Sequence, residues 1–126
     1  MDAGIAAVVV LANTVASKLY MSLAFRARLL SASSSEERKE ILESIAFKNA
    51  SSAQLNEAEY SPLFFAGLCF LKLRQRNCPL TALLGAVSGP TYMWGRVCIG
   101  RQGAVVGSLL RYTGLLLLLW NIYLAV

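Results

Sequence analysis

Ser52-Ala53-Gln54-Leu55-Asn56-Glu57-Ala58-Glu59-Tyr60-Ser61-Pro62-Leu63-Phe64-Phe65 begins polar and runs straight into an apolar segment. As a helix it places Ser52, Asn56, Glu59 and Tyr60 at i, i+4, i+7 and i+8, on one face. A carboxamide, a carboxylate and a phenol then project together at the mouth of a membrane-embedded helix. Ionisable groups are costly there, so they belong to a site or to a pair. Pro62 removes a helix donor within this segment, and a kink is expected beside the polar face. The span covers about 52–73 and ends at Lys72, Arg74 and Arg76, before an Asn77-Cys78-Pro79 turn.

Outward from this stretch, three more apolar segments are long enough to cross a bilayer core of about 30 Å. The first, 4–25, carries Asn13, Lys18 and a series of alanines suited to close helix contact, and Arg26 and Arg28 close it. An acidic Met1-Asp2 start and the length of the run favour a retained helix over a signal peptide. A polar link, 29–51, holds a short surface helix opened by a Ser34–Glu37 capping box. The segment 79–98 has Gly85, Gly89 and Gly95 for close packing, Pro90 for a second kink, and Tyr92 and Trp94 as core or interfacial aromatics. After a Gly100–Gly103 link, 104–126 contains Arg111 near its start. The expectation is one all-α domain over 1–126, an integral membrane four-helix bundle.

Composition agrees. The 126 residues are 56% hydrophobic and 15% charged, against about 25% charged in a soluble domain. A net charge of +5 without a basic aromatic cluster suits anionic headgroups rather than nucleic acid. Lys and Arg are more numerous in the first and third links than in the second, which turns the polar face toward the cytoplasm. The chain has no histidine, which removes His-based acid–base and nucleophilic chemistry and most zinc sites. Cys69, Cys78 and Cys98 lie in or beside apolar runs without a Cys-x-x-Cys spacing and read as packing residues, and no metal site is expected. Arg96 lies deep enough to need a partner, and Glu59 on a facing helix is the candidate.

These residues carry a resemblance. Ala53-Gln54-Leu55-Asn56-Glu57-Ala58-Glu59-Tyr60-Ser61-Pro62-Leu63-Phe64 resembles the signature R-A-Q-x-N-x-x-E-Y/F-x-P-x-F of the MAPEG family, the membrane-associated proteins in eicosanoid and glutathione metabolism. The nearest branch is that of leukotriene-C synthase and the microsomal glutathione transferases. Gly95-Arg96 and Arg111-Tyr112-Thr113-Gly114 resemble the family's third- and fourth-helix motifs. The resemblance implies a homotrimer in the endoplasmic reticulum, with glutathione as cosubstrate held between subunits. It implies glutathione contacts from Gln54, Asn56, Glu59, Tyr60, Arg96 and Arg28 (or Arg26), with Arg111 as the cation that activates the thiol. The acceptor would be a lipophilic electrophile or a lipid hydroperoxide arriving through membrane lipid.

The chain departs from the pattern at Ser52, where the family has arginine, and at Phe47-Lys48-Asn49, where it has Phe-Glu-Arg. Third-helix tyrosines are also missing, around Ile99 and Gly103. The same family includes non-catalytic lipid-binding members, so a lipid-presenting protein is the alternative, and an unrelated four-span structural protein is the third.

Overall fold

The computed structural model describes residues 1–126, which form five helices and no strand. Helix α1 spans Ala3–Ser31, with a π-helical turn at Ser22–Arg26. Helix α2 is Ser35–Glu43, α3 Ile45–Leu73, α4 Pro79–Cys98 and α5 Arg101–Tyr123. The long helices pack in the pairs α1–α3, α1–α4, α3–α4, α3–α5 and α4–α5, with α2 resting on α3.

The ends follow local chemistry. The Asp2 carboxylate caps α1 by accepting from the Gly4 and Ile5 amides at 2.8 and 3.3 Å. Ser34 caps α2 as expected, accepting from the Glu37 amide at 3.1 Å. Glu37 reaches back to the Ser33 amide at 2.9 Å, one residue before the usual position. Ser44 ends α2 and caps α3, accepting from the Phe47 amide at 3.2 Å. Helix α3 therefore starts at Ile45, well before the expected 52. Pro79 opens α4 at a first-turn position where its missing N–H costs nothing.

Both α3 and α4 remain helical through Pro62 and Pro90. Two expectations change. The last link shrinks to Ile99-Gly100, with Gly100 at φ 89°, so Arg101 is the first residue of α5. Of the four expected spans, two helices are long and apolar enough to cross a membrane, Ala3–Ser31 and Arg101–Tyr123. The other two are as long as a span but more polar: α3 carries Lys48, Glu57 and Glu59, and α4 is rich in Gly, Ser and Thr and carries Arg96 in its last turn.

Two apolar clusters form the core. One gathers Ala3, Ala6, Ala7 and Val10 of α1 with Phe64, Leu68 and Leu71 of α3, Ala82 and Ala86 of α4, and Leu118 of α5. The other joins Met21 and Phe25 to Ile41 and Ala50. Between them, α1 presents Asn13 and α3 presents Glu57 and Ser61, all buried. The α4–α5 pair is drawn tight by glycine: Gly95 faces the Gly103 backbone, and Gly107 faces the backbone of Tyr92. A side chain at either place would collide with main chain, so the close approach requires glycine. This approach brings Arg111, one turn past Gly107, to the interior.

Candidate functional site

Arg111 is the centre of the polar layer. It is buried, and both terminal nitrogens and the plane of its guanidinium are held. One terminal nitrogen donates to the Asn56 side-chain oxygen and the other to Oε1 of Glu57. Tyr60 lies over one part of the cation at 5.1 Å and Tyr92 at 4.7 Å, both within cation–π range. Glu57 is equally enclosed. Its Oε2 accepts from Asn13 Nδ2 at 2.8 Å and from Ser61 Oγ at 3.1 Å. Four helices thus contribute to one network: Asn13 from α1, Asn56, Glu57, Tyr60 and Ser61 from α3, Tyr92 from α4, and Arg111 from α5. Gly89 of α4 leaves room for it, since a Cβ there would stand 3.0 Å from Glu57 Oε2 and 3.2 Å from Asn13 Nδ2.

The network is not closed. Arg111 Nε and Ser88 Oγ are buried without a partner. Both residues border a void of about 10 Å³, shared with Asn13, Glu57, Tyr60 and Ser61. That is about the space one water needs, and the lining is polar enough to hold it. On the outer side, the Tyr60 and Tyr112 hydroxyls lie 3.4 Å apart, with the rings edge to face.

The sequence-derived residues divide. Asn56, Tyr60 and Arg111 are brought together. Gln54 is half-buried on the same helix, and Glu59 is exposed on its outer flank. Ser52, Asn56 and Tyr60 are half-exposed, so the expected polar face of α3 is a flank open to the surroundings. Glu59 does not pair with Arg96. Arg96 is half-buried near the end of α4, forms no ion pair, and has its Nε buried without a partner. The buried ion pair is instead Glu57–Arg111. Arg28 is exposed and lies apart, in a pocket with Phe25, Glu37, Glu40 and Ile41. Bonds from the Ser33 amide and hydroxyl hold the Glu37 carboxyl below the usual range, and the Arg28 charge adds to this.

Glu57, Asn13, Ser61, Ser88 and the cation-stacked Tyr92 were not anticipated as site residues. A signal for Glu57 existed. Ala50, Ala53, Glu57, Ser61, Phe64, Leu68 and Leu71 recur at helical spacing as one small and apolar face, and the glutamate is its one charge.

A second feature lies between α1 and α3. Val10, Leu11, Thr14, Ala58, Pro62 and Phe65 line an open groove of about 250 Å³, with Lys18 at its edge. No family model, curated protein or solved structure matches this chain.

Proposed function

We propose that this chain is a membrane glutathione transferase of MAPEG type, joining the glutathione thiolate to lipophilic electrophiles or reducing lipid hydroperoxides with it. The observation that carries the reading is the setting of Arg111. The resemblance names Asn56, Tyr60 and Arg111 together, from motifs about 55 residues apart in the chain, and these side chains meet at one guanidinium. The residues fit glutathione in part. Glu59, exposed beside the cluster, suits an ammonium, Gln54 and Asn56 suit amides, and Arg111 suits an ionised thiol. Ser52 offers no charge for a ligand carboxylate, where the family pattern has arginine.

Glutathione brings its own nucleophile, so the absence of histidine is no obstacle. A free thiol has a pKa of about 8.5 and is mostly protonated at neutral pH. A fixed cation in a low-dielectric site favours the anion, and each tenfold gain in thiolate corresponds to about 1.4 kcal/mol. The chain's part is to hold that cation: the two rings and the Asn56 oxygen fix the guanidinium plane, and the apolar clusters on either side exclude bulk water.

In this reading the chain crosses the endoplasmic reticulum membrane four times and works as a homotrimer. Helices α3 and α4, with 29 and 20 residues, reach ~44 and ~30 Å, enough to cross beside α1 and α5. Leu55, Leu63, Leu80, Leu83 and Val87 on these helices are exposed, as expected where lipid or a second copy covers them.

Two observations favour the lipid-binding alternative. The Arg111 charge already has a partner in Glu57, and the α1–α3 groove is apolar enough for an acyl chain. Thiolate absorbance in the ultraviolet separates the readings. Detergent-purified protein with millimolar glutathione is expected to give a thiolate signal that falls at least tenfold in Arg111→Ala, measured on protein that remains folded by circular dichroism. No signal in wild type, together with fatty-acid binding blocked by Ala58→Trp, would establish the alternative instead. Crosslinking that yields no trimer would count against the assembly.

A further inference from the structure

The Glu57 carboxylate has no place in the resemblance-based site, yet it is the most enclosed charge in the molecule and it already neutralises the cation assigned to the thiol. That creates a charge problem. Glu57 and Arg111 together are neutral. Adding a thiolate beside them leaves one net negative charge in a water-poor layer, which low dielectric penalises heavily. The problem disappears if the carboxylate takes the proton as the thiol loses it.

We propose that Glu57 is the proton acceptor for a thiol that ionises at Arg111, a role that rests on the glutathione reading above. The S–H bond breaks and an O–H bond forms on Glu57. The Arg111 guanidinium turns its charge from the carboxylate to the sulfur, and the net charge of the layer stays at zero. The route is the void bordered by Tyr60, Ser61, Ser88, Glu57 and Arg111. One water there accepts from the free Arg111 Nε–H, meets the unpartnered Ser88 hydroxyl, and relays the proton inward to Glu57. Asn13 and Ser61 continue to donate to Oε2, leaving Oε1 to carry the proton once Arg111 moves. The titratable groups that face this centre are Tyr60 of α3, Tyr92 of α4 and Arg111 of α5, whereas α1 contributes the neutral Asn13. None of these is a base at neutral pH. Tyr112 touches Tyr60 from the outer side, and Glu59, the other carboxylate near the cluster, is exposed on the outer flank and in the glutathione reading is taken by the ligand ammonium, which leaves Glu57 as the enclosed acceptor.

The test counts protons. Full-length protein in detergent is mixed with glutathione in weakly buffered indicator solution while thiolate absorbance is followed, with S-methylglutathione as the thiol-free control. The expected result is thiolate formation with close to zero protons released per thiolate. A protonated-carboxyl band should appear in the infrared difference spectrum and be absent in Glu57→Gln. That variant carries the same charge as the protonated carboxyl and leaves Arg111 free for the sulfur, so it should form at least as much thiolate as wild type but release one proton for each thiolate. One proton released per thiolate in wild type, without the infrared band, overturns the proposal and leaves Arg111 acting alone. No thiolate at all overturns the transferase reading, and this proposal with it.

Discussion

At one end of the molecule Lys72 Nζ donates to the Asp2 carboxylate at 2.8 Å, tying the end of α3 to the start of α1, with side chains 56% and 45% exposed. Near the middle, Arg111 pairs with Glu57, with side chains 3% and 1% exposed. Both pairs join α3 to another helix across more than fifty residues of chain. Their physical weight is nevertheless opposite. The outer pair was never far from water and gives up little if it opens. The inner pair has lost its hydration, so each partner depends on the other. The network around it, from Asn13, Asn56 and Ser61 to the two tyrosine rings, is what makes its burial tolerable.

The largest expected effect follows from that dependence. Glu57→Ala leaves an uncompensated guanidinium between two apolar clusters and should cost about 3–5 kcal/mol, enough to lose the folded state in many detergents. Replacing both partners, Glu57→Leu with Arg111→Met, removes the charges together and should recover most of that loss. Thermal unfolding in one detergent compares the single and double variants. If Glu57→Ala unfolds no earlier than Lys72→Ala, the contrast between the two pairs is wrong.

The contrast also marks how far the sequence could be read. The helices follow from apolar runs and caps: Ser34 and Pro79 stand where helices were expected to begin, whereas the Ser44 cap was not read and the start of α3 was placed too late. The resemblance grouped Asn56, Tyr60 and Arg111, which do meet. The choice between Glu57 and Glu59 was not anticipated. The two lie two residues apart, on nearly opposite sides of a helix, and polarity alone selected the flank with more polar groups. What turns Glu57 inward is the face built by Ala50, Ala53, Phe64, Leu68 and Leu71, which has nowhere else to bury itself. The partner was misassigned for a related reason. Arg96 and Arg111 both fall within segments expected from sequence to be spans, but Gly107 against Tyr92 is what lets α5 carry Arg111 inward, and that is a tertiary contact. The π-helical turn in α1 has no sequence signal that we recognise.

A middle tier of effects sharpens this account of the inner pair. Gly107→Ala would drive a methyl into the Tyr92 backbone and should cost about 1–3 kcal/mol by forcing α4 and α5 apart. It should also lift the Tyr92 ring from Arg111, so the loss of stability comes with a loss of the thiolate signal. Gly89→Ala meets side-chain atoms, Glu57 Oε2 at 3.0 Å and Asn13 Nδ2 at 3.2 Å, which can shift by a few tenths of an ångström. Its cost should therefore be smaller than that of Gly107→Ala in the same unfolding assay. The reverse order would mean that the Glu57 network is more rigid than the backbone contact.

The smallest effect belongs to the outer pair, and pH isolates it. Hydrogen bonding from Lys72, then from the Gly4 amide, holds the Asp2 carboxyl below the usual aspartate range. A carboxyl whose folded pKa lies below its unfolded value adds stability that is fully present above the unfolded value, near about pH 4, and disappears as pH falls through the folded one. The contribution should be constant from neutral pH down to about 4 and fade below it. Because the pair is solvated, salt should weaken it as well. Lys72→Ala should remove part of this acid sensitivity and change the unfolding temperature at neutral pH barely beyond detection. An acid transition unaltered by Lys72→Ala, with a large loss at neutral pH, would mean that the α1–α3 end is held by this pair after all. The apolar packing of Ala3, Ala6 and Ala7 on Leu68 and Leu71 would then be the weaker tie.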